Sequence, residues 1–355
     1  MGNVRFATIG TSAICNRFID ALGQVSGAEL VGCYSRTMEG AHAFGEKHGA
    51  TLFFDSLDEL AACDQVDAVY VASPNALHAG QAKAMVAAGK HVLVEKAFAS
   101  NEVEAADVFA AADAAGVVAM EAMRNLHVPT FDAIRAQVAG LGPVGAASFS
   151  FAKVTSRIGS LRAGEKCNIF DPAMSAGALM DMGIYCVAPA LALFGRPQSV
   201  AAAGVTTGVP GVEAGADFSV IDLSGSIALG YADKVVALSY GKTYDDKLDS
   251  QVCGEKATLV FDSISCPTNL RLFSHEDKGQ VFRTEAGQGA AIDCDQPPAN
   301  DMACEVQIFV NAVLGDESSL ERVAWGREVT LGTLAVIDDA RRQMGVEFPA
   351  DRAGA

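Results

Sequence analysis

A lysine that ends an apolar segment is the first residue of this sequence that could do chemistry. The apolar run at residues 91–94 stops abruptly at Glu95 and Lys96. Parallel strands present ligands at their carboxyl ends, so a charged pair at this point indicates a ligand rather than a core contact. The alternative is an exposed lysine that only marks solvent at a strand end. We expect the chain before Lys96 to bind a cofactor and much of the later chain to close a substrate against this side chain.

A second pair of polar side chains lies on a predicted helix at residues 177–194. Asp181 and Tyr185 are four residues apart, so they face the same side of that helix. Apolar neighbours surround them, and both polar groups would be buried unless they met a ligand or each other. Structural hydrogen bonding inside the core is the alternative role for such a pair.

The turn after the first predicted strand could hold a pyrophosphate. An apolar strand at residues 4–9 leads through Gly10, Thr11, Ser12, Ala13 and Ile14 into a helix that ends near residue 22. A helix N-terminus that follows a strand offers free N–H groups to phosphate oxygens. Only the first glycine of the pattern G-x-G-x-x-G is kept, but the replacements Ser12 and Cys15 are small enough for close backbone approach.

The end of the second predicted strand, residues 29–34, indicates the type of cofactor. This strand continues into Ser35 and Arg36. An acidic residue at this strand end usually holds the 2'-hydroxyl of NAD, whereas a hydroxyl and an arginine suit the 2'-phosphate of NADP. The pair therefore favours NADP, and NAD stays possible. In the alternative, Arg36 only solvates the start of the next helix.

Strand and helix patterns alternate through the first third of the chain. Strands are predicted at residues 4–9, 29–34, 51–54, 67–71, 91–94 and 117–120. This alternation predicts right-handed crossovers and a doubly wound parallel sheet. The ends of its strands would bring together at one edge Gly10, Ser35, Ser73, Pro74, Asn75, Glu95 and Lys96.

The second half of the chain has the pattern of an antiparallel sheet. Short alternating strands, including residues 217–223 and 226–232, follow one another from residue 199 to about residue 283. One face of this sheet must cover the Tyr185 helix, and the other could form a dimer or tetramer contact. Helices at 302–313 and 326–344 and a loop at 285–299 complete the chain. The predicted fold is α/β: an N-terminal Rossmann doubly wound parallel sheet, residues 1–123, precedes an α+β domain with a large, mostly antiparallel open sheet, residues 124–355.

Charge and composition exclude several classes of partner and site. The formal charge of -17 repels nucleic acid and anionic membranes, because both require a basic face. Nine cysteines without a C-x-x-C pair fit reduced thiols in a cytoplasmic protein, so we assign no disulfide frame and no metal. The N-terminal residues lack a secretory pattern, and Asp181 and Pro189 make the apolar segment 176–195 a buried helix rather than a membrane span.

Five segments in this chain carry a family resemblance. IGTSAI, YSR, ASPNALH, GKHVLVEKAF and GALMDMGIY together resemble the Gfo/Idh/MocA family of NAD(P)-dependent oxidoreductases, which includes glucose-fructose oxidoreductase, inositol dehydrogenase and dimeric dihydrodiol dehydrogenase. Their order and spacing agree over nearly the whole chain. The segment SRIGSLRAGEKCNIFDP resembles a subgroup of uncharacterised dehydrogenases in that family.

The resemblance implies roles for several residues. It implies that Lys96 lies beside both nicotinamide and substrate, and that Asn75 and His78 line the cofactor pocket. It also implies substrate contacts and an acid or base on the helix of Asp181 and Tyr185. The basic loop at residues 153–172 could bind a carboxylate or phosphate of the substrate, and in its subgroup-like part we choose Arg157 and Asn168 as contacts. A solvated loop is the alternative.

Two departures from the family pattern limit what can be carried over. Ala97 replaces the proline that usually follows the lysine, so a backbone constraint often supplied by a cis bond is lost or met otherwise. In the stretch EAMRNLHVP, Arg124 replaces an aromatic residue and Leu126 replaces an arginine. Contacts from that loop are therefore not carried over.

Together these patterns predict a cytoplasmic, NADP-preferring oxidoreductase that acts on a secondary alcohol or ketone of a sugar, cyclitol or related polyol. Tyr185 is the predicted acid or base, and because a tyrosine ordinarily titrates at about pH 10, the Lys96 ammonium must help it. Asp181 would orient Lys96 or a substrate hydroxyl. Lys96 as proton donor, with Tyr185 as orienter, is equally compatible. A nucleotide-binding regulator without turnover and a redox-neutral enzyme with tightly held nicotinamide are the competing classes.

Overall fold

A computed structural model describes residues 2–275 and 289–352 of the chain. Its first sheet has six parallel strands in the order β3-β2-β1-β4-β5-β6. They are β1 Val4–Ile9, β2 Ala28–Tyr34, β3 Leu52–Phe54, β4 Ala68–Val71, β5 His91–Glu95 and β6 Ala119–Ala122. The strand order reverses between β1 and β4, where sheets of this type bind ligands at their carboxyl edge. The predicted doubly wound parallel sheet is confirmed.

Apolar runs form this sheet because both of its faces are buried. In β4, Val69 and Val71 belong to one hydrophobic core, whereas Ala68 and Tyr70 belong to another on the opposite face. The surrounding helices are α1 Ala13–Leu22, α2 Met38–Gly45, α3 Leu57–Ala62, α4 Asn75–Ala87 and α5 Glu102–Ala115. Burial on both sides therefore leaves only the strand ends for polar chemistry.

The second sheet has eight strands in the order β14-β13-β12-β11-β7-β10-β9-β8. They are β7 Val144–Ala152, β8 Ser199–Gly208, β9 Val220–Gly230, β10 Val235–Gly241, β11 Ser250–Gly254, β12 Ala257–Phe261, β13 Leu270–Ser274 and β14 Ala290–Ala291. Strands β7 and β10 pair in parallel, and the other described pairs are antiparallel. The predicted mostly antiparallel sheet is confirmed.

One strand prediction in this sheet is wrong. The pattern predicts separate strands at residues 217–223 and 226–232, with Gly225 between them, but β9 continues through Gly225. A Cβ atom on Gly225 would lie 2.5 Å from the hydroxyl of Tyr240 on β10. The glycine therefore admits a close contact between strands instead of ending one.

The remaining helices connect the two sheets. They are α6 Pro129–Gly140, α7 Ile158–Arg162, α8 Ile184–Phe194, α9 Met302–Val313 and α10 Glu317–Gln343. Helix α8 continues from a π-helical turn, Leu179–Gly183. Helix α10 begins well before the predicted residue 326, because the Asp316 carboxylate caps it by accepting the Ser319 N–H over 2.9 Å.

The C-terminal helices return to the first sheet. Helix α9 packs against α1 and β6, and α10 packs against α5, β6, α8 and β8. Val94 of β5 and Leu238 of β10 belong to one continuous core, so the two sheets are packed together. The proposed division of the chain at residue 123 stays a prediction.

The loop predicted at residues 285–299 is only partly described. Its residues 285–288 lie outside the described residues, and so does the part of the predicted strand region that follows residue 275. Residues 290–291 form β14.

One described helical segment, Pro172–Phe194, is long and apolar enough to span a membrane, but 72% of its apolar window is buried inside the protein. It contains α8, which packs against β10 and α10 as a core helix.

Candidate active site

A cavity of about 560 Å³ lies where the carboxyl ends of β4, β5 and β6 meet α8 and the end of β10. Its size suits a small-molecule or cofactor site. The predicted site residues that line it are Ser12, Ile14, Ser73, Pro74, Asn75, His78, Glu95, Lys96, Asn168, Asp181 and Tyr185. The fold therefore brings most of the predicted residues to one cavity.

Lys96 and Asp181 form the charged centre of this cavity. The Lys96 Nζ atom lies 2.5 Å from Asp181 Oδ1 and 3.2 Å from the Asp181 carbonyl oxygen. Lys96 directly follows β5, and the π-helical turn carries Asp181 toward it. The other carboxylate oxygen, Oδ2, lies 2.8 Å from the Nζ atom of Lys242, which directly follows β10. One carboxylate thus bridges two ammonium groups.

These contacts shift the pKa values of both groups. Burial alone would lower the pKa of Lys96, but the neighbouring Asp181 and Tyr185 outweigh it and raise that pKa above its ordinary value. Burial acts to raise the pKa of Asp181, but the ammonium groups of Lys96 and Lys242 hold it well below its usual range. Lys96 is therefore a proton-carrying donor and Asp181 a carboxylate at neutral pH.

Tyr185 lies between two cations. The Arg124 Nε atom donates to the Tyr185 hydroxyl over 3.3 Å, and the Lys96 Nζ atom lies 5.2 Å from the ring centroid. Phe151 contacts the ring edge-on at a centroid distance of 5.4 Å. The cation that hydrogen-bonds the hydroxyl is therefore Arg124, whereas Lys96 lies over the ring face.

Three cations of the cavity wall, Arg17, Arg124 and Lys242, are missing from the sequence predictions. Arg124 donates to the buried carboxylate of Asp301, which also accepts from Arg17 over 2.9 Å. Arg124 replaces an aromatic residue of the family pattern, so that pattern implies no role for it. Lys242 carries the same signal as Lys96, since both follow an apolar strand directly, and this signal would have found it.

The turn after β1 is tight and leaves the start of α1 exposed. Gly10 has φ +118°, and a Cβ atom there would lie 2.7 Å from the Ala72 carbonyl oxygen. Thr11, Ser12 and Ala13 are exposed at the N-terminus of α1. The first N–H groups of a helix have no partner within it, so this exposed turn fits a phosphate group. Of these residues Ser12 also lines the cavity.

Ser35 and Arg36 lie at the end of β2, outside the cavity lining. Arg36 is exposed, and Thr37 caps α2 by accepting the Gly40 N–H over 3.1 Å. A Cβ atom on Gly40 would come within 2.7 Å of the Ser35 hydroxyl, so the glycine leaves this strand end open. Selection of NADP by this pair stays a prediction.

The residues that follow β4 are anchored by hydrogen bonds. The Asn75 side chain donates to the Ser175 carbonyl oxygen over 2.9 Å. The His78 ring nitrogens lie 2.7 Å from the Ser73 carbonyl oxygen and 2.8 Å from that of Ala97. The peptide bond between Lys96 and Ala97 is cis, the conformation that a proline at this position often supplies. His78 thus links the ends of β4 and β5 beside the cavity.

Glu95 is the buried neighbour of Lys96. The Tyr70 hydroxyl donates to its carboxylate, and burial raises the pKa of Glu95 above its ordinary value. Glu95 lines the cavity, whereas Tyr70 of β4 is buried in the core on one face of the sheet. The contact that we assign between Glu95 and the cofactor stays a prediction.

The basic loop contributes Asn168 and Ile169 to the cavity lining. Asn168 thus lies at the cavity, whereas Arg157 is exposed at the start of the short helix α7 and is not part of the lining. Lys166 in this loop pairs with the buried Asp171 over 3.0 Å. A contact between Arg157 and a substrate stays a prediction.

The cysteine, histidine and acidic side chains form no cluster that could bind a metal ion in the described part of the chain. All nine cysteines are free thiols. Within residues 2–275 and 289–352, no group of three or more His, Cys, Asp or Glu side chains is arranged to hold an ion. The assignment of no metal stays a prediction.

Family models match two parts of the chain, and relatives match almost all of it. Residues 4–123 match the oxidoreductase family with an NAD-binding Rossmann fold, and residues 150–260 match the GFO/IDH/MocA C-terminal domain. The chain is 36% identical to the scyllo-inositol 2-dehydrogenase (NADP(+)) IolU of Bacillus subtilis, over 99% of this chain and 100% of that protein. It is 26% identical to a trans-1,2-dihydrobenzene-1,2-diol dehydrogenase of Xenopus laevis, over 97% of this chain and 99% of that protein.

Solved structures agree with this fold. A 3-ketoreductase from Actinomadura kijaniata, KijD10, has a TM-score of 0.76 and 22% identity over 97% of this chain and 98% of its own. This likeness supports the two-sheet architecture, and the family models and whole-length relatives confirm the resemblance seen in the sequence motifs. The chain belongs to the GFO/IDH/MocA family of oxidoreductases.

Proposed function

We propose that the protein is an NADP-linked dehydrogenase that interconverts a secondary alcohol and ketone of a cyclitol or related polyol. The relative with 36% identity over its full length is a scyllo-inositol 2-dehydrogenase that uses NADP(+). The observation that carries the proposal is the Lys96–Asp181 pair beside Tyr185, in a cavity at the carboxyl edge of the nucleotide-binding sheet. A regulator without turnover has no need for such a pair.

The residues of the first turn fit the cofactor. The N–H groups at the start of α1 would hold the pyrophosphate, with Gly10 leaving room for close approach. Ser35 and Arg36 at the end of β2 would bind the 2'-phosphate. When bound, NADP supplies the site that accepts or gives up the hydride. Asn75, His78, Glu95 and Lys96 are the residues of this chain that we assign to the cofactor near the cavity.

Tyr185 is the residue that we assign to moving the hydroxyl proton. Its hydroxyl oxygen accepts a hydrogen bond from the Arg124 guanidinium, which holds that oxygen in place and leaves its own proton available for transfer. Lys96 and Asp181 would bind and orient the substrate hydroxyl, because an ammonium and a carboxylate together can donate to it and accept from it. Asn168 supplies an amide to the same cavity, and Arg157 is the more distant candidate contact.

The test is reduction of NADP(+) in the presence of a panel of polyols that includes scyllo-inositol, with NAD(+) in parallel. We expect NADPH to form with a cyclitol, and kcat/KM to be higher with NADP(+) than with NAD(+). Lys96→Met should abolish most of this activity. Lys83→Met is the matched control, because Lys83 lies on the exposed side of α4 with Asp107 as its partner.

Other outcomes separate the competing classes. Thermal unfolding with added NADP(+) reports binding, since a ligand of the folded state raises Tm. Binding without net NADPH formation, but with chemical conversion of a substrate, would indicate redox-neutral chemistry at a held cofactor. Binding without conversion of any substrate would indicate a regulator and contradict the proposal.

We also propose a cytoplasmic protein that forms homodimers or homotetramers through the second sheet. Support for the location is the set of nine free thiols. Support for the assembly is the exposed face of β8, β9 and β10, on which Val205 and Val235 are 59% and 53% exposed. We expect no nucleic-acid or membrane partner.

A further inference from the structure

Lys242 is a buried lysine at the wall of the candidate active site. Its side chain is only 2% exposed. Burial of an ammonium group costs free energy unless an opposite charge or hydrogen bonds compensate it. The compensating group is Asp181, whose Oδ2 atom lies 2.8 Å from the Lys242 Nζ atom, and the Phe170 ring centroid lies 5.4 Å from the same atom. The lysine is therefore directed at the carboxylate that also binds Lys96.

The two lysines hold different oxygens of one carboxylate. Lys96 binds Oδ1 from the end of β5 in the first sheet, and Lys242 binds Oδ2 from the end of β10 in the second. The Asp181 side chain is 42% exposed to the cavity, so water or a substrate can reach it. With Lys96 as its only charged partner, the carboxylate could rotate toward water. The second ammonium removes this freedom.

Other ionisable groups face this arrangement from each packed element. Asp222 on β9 accepts the Leu179 N–H over 2.7 Å, and burial raises the pKa of its carboxyl to about 6 while Lys242 acts to lower it. Glu95 and Tyr185 interact with Lys96, the first partner of Asp181. Asp222 interacts with Lys242 and is itself close to Tyr240 and Arg341. Any pH test must therefore distinguish Asp181 from Asp222.

We propose that Lys242 is a positioning residue that fixes the Asp181 carboxylate and, through it, the Lys96 ammonium at the reaction centre. Two ammonium groups and one carboxylate leave this centre with one positive charge. That charge favours a substrate oxygen that becomes more negative as its proton leaves. The effect on turnover rests on the proposed function, whereas the effect on the charge of Asp181 is independent of any substrate.

The first experiment measures thermal unfolding against pH for the wild type, Lys242→Met, Asp181→Asn and the double variant. Although burial opposes it, the ammonium groups keep the pKa of Asp181 low, and loss of Lys242 moves this pKa back toward the ordinary aspartate value of about 4. A lowered carboxyl pKa stabilises the fold above the unfolded-state pKa, and this stabilisation is lost as pH falls through the folded-state pKa.

We therefore expect the Tm deficit of Lys242→Met to be constant near neutral pH and to narrow below about pH 4. In the Asp181→Asn background this narrowing should be absent. A Tm deficit that is equal at every pH and in both backgrounds would mean that Lys242 only fills space, and it would overturn the proposal. Lys242→Arg should recover most of the deficit, and Lys242→Gln serves as the uncharged variant if Lys242→Met does not fold.

The second experiment measures the pH dependence of kcat/KM with NADP(+) and the cyclitol that the wild type oxidises. Lys242→Met should lower kcat about tenfold with little change in KM, because a misplaced ammonium weakens the transition state more than binding. The acid limb of the profile should move to higher pH. An unmoved acid limb in Lys242→Met, or a limb moved only by Asp222→Asn, would overturn the proposal.

A matched buried lysine provides the control for this series. Lys90 is 8% exposed, and its Nζ atom donates to the carbonyl oxygens of Cys63 and Val66 over 2.6 and 2.8 Å, away from the cavity. Lys90→Met should lower Tm and leave the pH profile of kcat/KM unchanged. If the wild type oxidises no polyol, the proposed function fails, and the Tm series still decides the role of Lys242.

Discussion

Tyr185 and Lys96 are the two side chains that could exchange the substrate proton, and their contacts distinguish them. Lys96 is held by Asp181 at 2.5 Å, whereas the Tyr185 hydroxyl receives a hydrogen bond from Arg124 at 3.3 Å. An ion pair keeps the proton on a lysine, whereas a hydroxyl that accepts a hydrogen bond still has its own proton to donate. These contacts favour Tyr185 for proton exchange, with Arg124 in the assisting role that the sequence assigned to Lys96.

Replacing Tyr185 by phenylalanine tests this assignment. Phenylalanine keeps the ring that packs on Phe151 and removes only the hydroxyl. Turnover should fall by about a hundredfold or more while the affinity for NADP(H) stays the same. Lys96→Ala should also lose turnover, and the double variant should be little worse than the poorer single one, since the two act as one unit. Near-normal turnover of Tyr185→Phe on an identified substrate would leave Lys96 as the proton donor.

We assign Arg36 to cofactor binding rather than to the reaction. Its side chain is exposed at the end of β2, where it can meet a 2'-phosphate. Arg36→Ala should weaken NADP binding by about 1.5 to 3 kcal/mol and leave NAD binding nearly unchanged. Dissociation constants from calorimetry check this, with Arg342→Ala as the control, because Arg342 is 72% exposed on α10. Equal losses for both nucleotides would refute selection by Arg36.

The sequence patterns predicted the helices and strands that bury an apolar face. β1, β4, β5 and α9 were predicted within a few residues, because periodicity reports burial. Contacts between distant elements have no such local signal. The Lys242–Asp181 pair depends on the pairing of β10 with β7 and on the π-helical turn, neither of which the patterns predict.

The lack of a local signal for contacts between distant elements also explains why the contacts of Arg124 were not predicted. Asp301, at the start of α9, reaches Arg124 and Arg17 only because α9 returns to pack on α1 and β6. The sequence predicted the helix but not the sheet against which it packs. The strand-end residues of the first sheet and the helix face of Asp181 and Tyr185 were therefore predictable, and the contacts that join the two sheets were not.

The role of the turn from β1 to α1 in cofactor binding can be tested by replacing Gly10. Gly10→Ala would force a Cβ atom to 2.7 Å from the Ala72 carbonyl oxygen, so the backbone of the turn must shift. We expect the affinity for NADP to fall about tenfold or more, since the first amides of α1 would leave their positions. Binding of NADP measured by calorimetry checks this prediction.

Gly49 provides the matched control. It has φ +78°, but a Cβ atom there meets nothing within 4 Å. Gly49→Ala should therefore cost about 1 kcal/mol of stability from the left-handed backbone alone and leave the affinity for NADP unchanged. An equal loss of affinity in both variants would mean that general destabilisation, and not the shape of the turn, lowers the affinity for NADP.

In the whole molecule, one face of the second sheet, on strands β8, β9 and β10, is not covered by another described element. Helix α10 packs on one face of β8, while Ala201, Ala228 and Ala237 pair side by side across the open face of β8, β9 and β10. Small side chains on a broad sheet allow close approach of a second flat surface. The formal charge of -17 opposes self-association, so an apolar contact is needed to hold two copies together.

Val205 tests whether this open face forms the assembly. It lies on β8 and is 59% exposed, so Val205→Glu is tolerated in the monomer but places a buried charge in each copy of a symmetric contact. We expect the mass measured by light scattering after gel filtration to fall to that of one chain. Val103→Glu is the matched control, because Val103 is 63% exposed on α5, away from this sheet, and its variant should keep the wild-type mass. An unchanged mass for Val205→Glu, with the wild type larger than one chain, would mean that the copies meet through another surface.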